Sequence, residues 1–196
     1  MMSFDFNERL AFSVKANGRP WEDVIRDALP GVASVQKTDT AQDKTGVDYV
    51  ATLRRGAVVW IDLKLRDAGC SRFWQIGIEE LALEIWSVKP ADGQPGKAGW
   101  TLDEAKATHY TLHAFAPVDS NAAFLIPFQL LRKAFRERLA LWTRQYRRAT
   151  QSSGTWQSEC LFVPAPIVLD AVAFAGCLTI SVPPVPPQLD LALPLA

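Results

Sequence analysis

Hydrophobic residues alternate with two different periods along the chain, and each period predicts one type of element. A period of two is typical of half-buried strands and predicts strands at VASVQKTD (32–39), LALEIWSV (81–88) and HYTLHAFAPV (109–118). Helical spacing runs from Phe4 to Leu29, and a break at Asn17-Gly18-Arg19-Pro20 predicts two short helices there. Further along, ECLFVPAPIVLDAVAF (159–174) predicts a strand followed by a short helix.

The clearest strand pair lies within GVDYVATLRRGAVVWIDLKLRD (46–67), where two runs rich in β-branched residues flank Arg54-Arg55-Gly56. A three-residue loop with a left-handed glycine at its last position is a favoured hairpin connection, and it sets Leu53 opposite Ala57. On that register Asp48 faces Asp62. The sequence therefore predicts a hairpin over residues 47–65.

Side chains two apart on a strand share one face of the sheet, as do side chains directly opposite each other. Asp48, Asp62 and Lys64 are therefore predicted to lie together on one face, while the other face is almost wholly apolar and must pack on the core. Trp60 and Val58 share the polar face, which predicts that this face is partly covered.

Pro127 to Arg148 is predicted to be the longest helix, with an apolar stripe from Phe128 to Tyr146. Basic residues of one sign cluster on a neighbouring arc, which is interrupted only by Glu137. Such a cluster indicates either a solvated face or a surface that binds the phosphates of a nucleic acid. The predicted nucleic-acid-binding residues are Arg132, Lys133, Arg136, Arg144, Arg147 and Arg148.

Composition excludes few functional classes. The chain has 196 residues, which is enough for one well-filled core, and its net charge of +0 does not point to a nucleic-acid or membrane partner. Three widely separated cysteines form neither a zinc pattern nor a disulfide framework, and the charged start does not read as a secretion signal. We expect a cytoplasmic protein with reduced thiols and no membrane partner.

The last residues differ in composition from the rest of the chain. SVPPVPPQLDLALPLA (181–196) is too rich in proline for a helix or a strand. We therefore predict a single domain over residues 1–182 and a proline- and leucine-rich tail over 183–196. The tail could pack on the body, mediate a homodimer or bind a protein partner.

Two facing carboxylates destabilise a strand pair unless a cation compensates them. Lys64 supplies one positive charge, and a divalent metal would supply more. Carboxylate oxygens are the ligands that Mg²⁺ uses while it retains positions for water and phosphate. This is the chemistry of metal-assisted phosphodiester hydrolysis. His109 and His113 lack a third ligand at zinc spacing and are interpreted as ordinary half-buried histidines.

Asp48 is separated by thirteen residues from Asp62 in Ile61-Asp62-Leu63-Lys64, and this spacing resembles the PD-(D/E)XK nuclease superfamily. The resemblance covers roughly residues 20–116 and implies a restriction-endonuclease-like core. Its fold class would be α/β (α+β), with a mixed central sheet that contains the 47–65 hairpin and is flanked by helices. It also implies that Asp48 and Asp62 bind Mg²⁺ or Mn²⁺, that Lys64 is the catalytic lysine, and that the substrate is nucleic acid, with DNA favoured.

Several positions refine or depart from this pattern. Val47 stands where the superfamily's name has a proline, whereas Glu84 is similar to an additional metal-binding carboxylate of some members. Glu84 and Gly99-Trp100 loosely resemble branches associated with phages and mobile elements, although His109 stands where those branches often carry an aspartate. A catalytically inactive protein of the same fold, acting as a nucleic-acid-binding or protein-binding subunit of a larger assembly, is the alternative.

Overall fold

The structure is a computed structural model that describes residues 2–5, 21–39, 46–67, 70–91, 93–116, 123–152 and 156–177. Within these residues the fold is mixed α+β, with two five-stranded sheets and three helices. The helices are α1 (Trp21–Ala28), α2 (Phe128–Gln145) and α3 (Ala165–Cys177), and a short 3₁₀ turn covers Trp74–Ile76. The strands are β1 (Met2–Asp5), β2 (Val32–Lys37), β3 (Tyr49–Leu53), β4 (Val58–Asp67), β5 (Glu80–Val88), β6 (Lys97–Ala98), β7 (Tyr110–Ala116), β8 (Ala123–Pro127), β9 (Arg147–Ser152) and β10 (Gln157–Pro164).

The first sheet has the strand order β2-β3-β4-β7-β8 and contains the predicted hairpin. Val50 pairs with Trp60 and Thr52 with Val58, so the predicted register is confirmed. Gly56 closes the loop with a φ of +82°, the left-handed conformation that the loop requires. Strands β4 and β7 run parallel while the other neighbours run antiparallel, which makes this sheet mixed.

The two faces of this sheet have different neighbours. Helix α1 packs on the apolar face through Trp21 and Ile25, in a cluster with buried residues of the sheet such as Tyr49, Ile61 and Leu112. On the other face, register places Asp62 beside Thr111, Lys64 beside His113 and Arg66 beside Phe115. This second face is polar along β4 and becomes apolar at Phe124 and Ile126 of β8, which join the larger core.

The second sheet has the order β1-β9-β10-β5-β6. Its buried residues Leu81, Leu83 and Leu161 form the larger core with α2 and α3. The prediction of a single central sheet is therefore incomplete, because β5 pairs with β10 and belongs to this second sheet, not to the sheet that holds the hairpin.

Two predicted element boundaries are wrong. Residues Met2–Asp5 form a strand that pairs in parallel with β9, although the helical spacing was expected to begin at Phe4. Helix α2 ends at Gln145 rather than Arg148, because Tyr146 has extended backbone angles and the chain then enters β9. The predicted first helix lies mostly in residues 6–20, and the proline-rich tail lies wholly beyond residue 177, outside the described residues.

Candidate carboxylate–lysine site

Strand β4 carries both residues of the central ion pair of the candidate site. Asp62 is buried, with 2% of its side chain exposed, and Lys64 Nζ lies 2.8 Å from Asp62 Oδ1. The two residues share a face because they are two apart on one strand, as the sequence predicts. At the outer end of the same face Val58 is 49% and Trp60 40% exposed, so about half of each side chain is covered.

Asp48 immediately precedes β3 and contacts the same strand, β4. Its backbone N–H donates to Ile61 O (3.0 Å), and its Oδ2 accepts a 2.6 Å hydrogen bond from the backbone N–H of Leu63. Leu63 lies between Asp62 and Lys64, so the Asp48 carboxylate is anchored beside the central ion pair.

Glu84 comes from β5 of the second sheet and is fixed by the turn that begins at Gly99. Glu84 Oε2 accepts hydrogen bonds from the Ser87 hydroxyl and from the backbone N–H of Trp100, both at 2.8 Å, and its own N–H donates to Thr101 Oγ1. A Cβ at Gly99 would stand 2.5 Å from the carbonyl carbon of Glu84, so only glycine permits this approach. The turn therefore determines the orientation of the Glu84 carboxylate.

Lys106 is a fifth member that sequence reasoning missed. Its Nζ lies 2.8 Å from Asp62 Oδ2, and only 8% of its side chain is exposed. Asp62 is thus held between two ammonium groups. We call Asp48, Asp62, Lys64, Glu84 and Lys106 the carboxylate–lysine cluster.

The loop that carries Lys106 is tied to helix α2. Arg132 Nη1 donates to Asp103 O (2.8 Å), and Arg136 forms a 2.6 Å ion pair with Glu104. The same loop places the Trp100 ring against Lys64, whose Nζ is 4.9 Å from the ring centroid. No local signal marks Lys106 as functional, because it comes from an irregular segment more than forty residues after Asp62.

Neighbouring charges determine the protonation states of Asp62 and Lys64. Burial raises the pKa of Asp62, but the charges of Lys64 and Lys106 outweigh burial and hold it below its usual value. Burial lowers the pKa of Lys64, but Asp62 and the charges of Asp48 and Glu84 raise it further than burial lowers it. Asp62 is therefore an anion and Lys64 a cation at neutral pH.

Two buried polar atoms face the cluster without a hydrogen-bond partner among the described residues. They are Thr111 Oγ1 and His113 Nε2. Thr111 is 0% exposed and His113 is 2% exposed, and on β7 they are the neighbours of Asp62 and Lys64. Buried polar groups usually have a partner, so both atoms are available to a bound ligand. Burial, followed by the charge of Lys64, lowers the pKa of His113 to about 3, which keeps the imidazole neutral.

The predicted basic arc does not form one surface. Arg132, Arg136 and Arg144 lie on α2, together with Lys133, whose Nζ donates to Ala175 O of α3. Arg147 and Arg148 instead lie on β9, where Arg147 pairs with the fully buried Glu80 and Arg148 pairs with Glu159. Their position on the predicted helix was wrong, and their contacts are those of residues that hold strands together.

The chemistry of the donor set fits a hard divalent cation. Magnesium is commonly held by one or two protein carboxylates, with waters and substrate phosphates completing its coordination. Asp48 and Asp62 supply such oxygens, next to the two unpartnered polar atoms. Among the described residues, however, no group of three or more His, Cys, Asp or Glu side chains could hold a metal ion, so the three-residue ligand set of Asp48, Asp62 and Glu84 stays a prediction.

Comparison with known proteins adds no family assignment. Neither a protein-family model nor a curated protein matches the chain, and no solved structure matches it. Within the part of the chain that the structure describes, no helix is long and apolar enough to cross a membrane.

Proposed function

We propose that the protein is a metal-dependent nuclease that hydrolyses phosphodiester bonds in nucleic acid, with DNA as the favoured substrate. The observation that carries this proposal is the carboxylate–lysine cluster, in which a buried aspartate, a second aspartate and a lysine meet on one sheet face. The order of helix α1 followed by strands β2, β3 and β4, with Asp62 and Lys64 on β4, supports a restriction-endonuclease-like core.

Each residue of the cluster has a chemical role in this proposal. Asp48 and Asp62, with Glu84 as a further carboxylate, would hold Mg²⁺ or Mn²⁺. The bound ion would acidify a water molecule and neutralise charge that develops on the phosphate. Lys64 remains protonated beside Asp62 and stabilises that developing negative charge. The Trp100 ring covers one side of the Lys64 ammonium and limits its access to water.

Cleavage assays on plasmid DNA and on labelled oligonucleotides test the proposal. In magnesium, the wild-type protein should cut, and Asp62→Asn and Lys64→Met should each reduce the rate at least about 100-fold, the loss typical of a removed electrostatic contact in an active site. Asp27→Asn, which removes an exposed carboxylate of α1, is the matched control and should cut like the wild type. Equal rates for the wild type and Asp62→Asn would refute the proposal.

One observation favours the alternative of a catalytically inactive binding subunit. Lys64 and Lys106 already neutralise Asp62 from both sides, so the cluster is balanced at its centre without a metal. Such a protein should bind DNA equally well with and without magnesium, should not cleave it, and should retain that affinity as Asp62→Asn.

A further inference from the structure

The exposed end of β4 carries an aromatic side chain next to the carboxylate–lysine cluster. Trp60 is 40% exposed and points to the same sheet face as Asp62, because the two are two residues apart. At about 3.3 Å per residue, their Cα atoms are separated by roughly 7 Å along the strand. An exposed tryptophan therefore stands at the entrance to the proposed catalytic face.

His109 fixes this tryptophan in place. The Trp60 backbone N–H donates to His109 Nδ1, and the His109 backbone N–H donates to Trp60 O, both at 2.9 Å. The imidazole and indole centroids are 5.3 Å apart, so the imidazole backs the indole. These two hydrogen bonds extend the pairing of β4 with β7 by one residue, while 40% of the Trp60 side chain stays exposed to solvent.

The neighbouring charges limit what this surface can bind. Lys64 and Lys106 lie inward of Trp60 but are both paired with Asp62, and the divalent ion of the proposed function would add two positive charges there. A ligand that spans both features then needs an anionic group beside a planar apolar group. A nucleotide of a single strand has both, whereas the bases of an intact duplex are stacked on one another and do not expose a face to a side chain.

We propose that Trp60, backed by His109, is a stacking platform for an unpaired base of a single-stranded nucleic acid whose phosphate lies at the carboxylate–lysine cluster. This inference rests on the proposed function and specifies its substrate as single-stranded. Base stacking on an aromatic side chain strengthens binding and tolerates different sequences, because every base has an aromatic face. Binding should therefore depend on the strand being unpaired and depend little on its sequence.

Fluorescence anisotropy with labelled 12-nucleotide strands, in calcium in place of magnesium, tests the platform through binding rather than through cleavage. Trp60→Ala should weaken single-strand binding about tenfold, equivalent to about 1.4 kcal/mol, while Trp60→Phe should retain most of the affinity. Leu141→Ala removes a similarly exposed apolar side chain of α2 and should leave the affinity unchanged. A blunt duplex should bind Trp60→Ala and wild type equally.

An abasic scan of the oligonucleotide completes the test and is independent of the folding of any variant. Removing the base at one position should weaken binding to the wild type, and the same abasic strand should show no further loss with Trp60→Ala. The inference is overturned if no abasic position changes wild-type binding, or if Trp60→Ala weakens duplex and single-strand binding equally. Wild-type cleavage in magnesium without any effect of Trp60→Ala would overturn the platform and leave the nuclease proposal standing.

Discussion

Asp62 is the central residue of the proposed site, because each of its two carboxylate oxygens forms an ion pair with a different lysine. Lys64 is a neighbour on the same strand, whereas Lys106 arrives from a loop that helix α2 holds in place. A divalent ion that binds Asp62 through Oδ2 must compete with the Lys106 ammonium. Lys106 is therefore expected to oppose metal binding even though it stabilises the buried carboxylate.

Lys106→Met should raise the affinity for magnesium about tenfold, equivalent to about 1.4 kcal/mol, because the ion no longer has to displace an ammonium group from Asp62 Oδ2. Calorimetric titration of wild type and variant measures this directly. Lys89→Met is a suitable control, since Lys89 pairs with Glu159 rather than with the cluster. Unchanged or weaker magnesium binding in Lys106→Met would show that the lysine does not compete with the ion.

At the scale of elements, local rules predict the strands better than the ends of the helices. The β3–β4 register follows from the three-residue loop and from the alternation of apolar side chains, which together allow one pairing. The apolar stripe of α2 is also confirmed, with Phe128, Leu131, Phe135 and Trp142 buried. The helix end was misplaced because periodicity continues through residues whose conformation is decided by contacts with distant strands.

Because Arg144 and Arg147 lie in different environments, we expect their substitution to change the free energy of unfolding by different amounts. Arg147→Ala should lower the free energy of unfolding by about 3 kcal/mol, since it removes a partner from the fully buried Glu80 carboxylate. Arg144→Ala, on the exposed side of α2, should change that free energy by less than about 0.5 kcal/mol. Urea denaturation of both variants measures the difference. Equal stability of the two variants would contradict the structural role of Arg147.

At the scale of the whole molecule, the described residues form two sheets, and each sheet is assembled through long-range pairings that no local pattern encodes. The sequence predicts β5 as a strand, but its pairing with β10 joins residues 73 to 84 positions apart and depends on the packing of α2 and α3. The candidate site likewise combines residues that a local pattern brings together with residues that only the folded chain brings together. Asp48, Asp62 and Lys64 follow from one hairpin, whereas Lys106, Thr111 and His113 become neighbours only once the chain is folded.

Burial of His113 makes global stability sensitive to acid. In the unfolded chain histidine binds a proton near pH 6.5, whereas in the folded protein its pKa is lowered to about 3 by burial, by Lys64 and by Arg66, against the opposing charge of Asp62. The unfolded state therefore binds more protons between these values, and stability falls as the pH is lowered through this window. The lowered pKa of Asp62 adds to the loss only at more acidic pH.

Urea denaturation between pH 6.5 and 4.5 should show the wild type losing about 2 kcal/mol of unfolding free energy from this histidine. His113→Asn should lose distinctly less over the same interval, because its side chain does not titrate. An identical pH dependence in wild type and variant would show that His113 is not held neutral in the folded protein.

The most direct test of the central claim is calorimetric titration of magnesium into the wild-type protein beside Asp62→Asn, with Asp27→Asn as the control. We expect a binding isotherm for the wild type and the control and none for Asp62→Asn, because we propose that the buried carboxylate is a metal ligand. A wild-type protein that binds no magnesium, or an Asp62→Asn variant that binds it as tightly as the wild type, would contradict the proposed metal site.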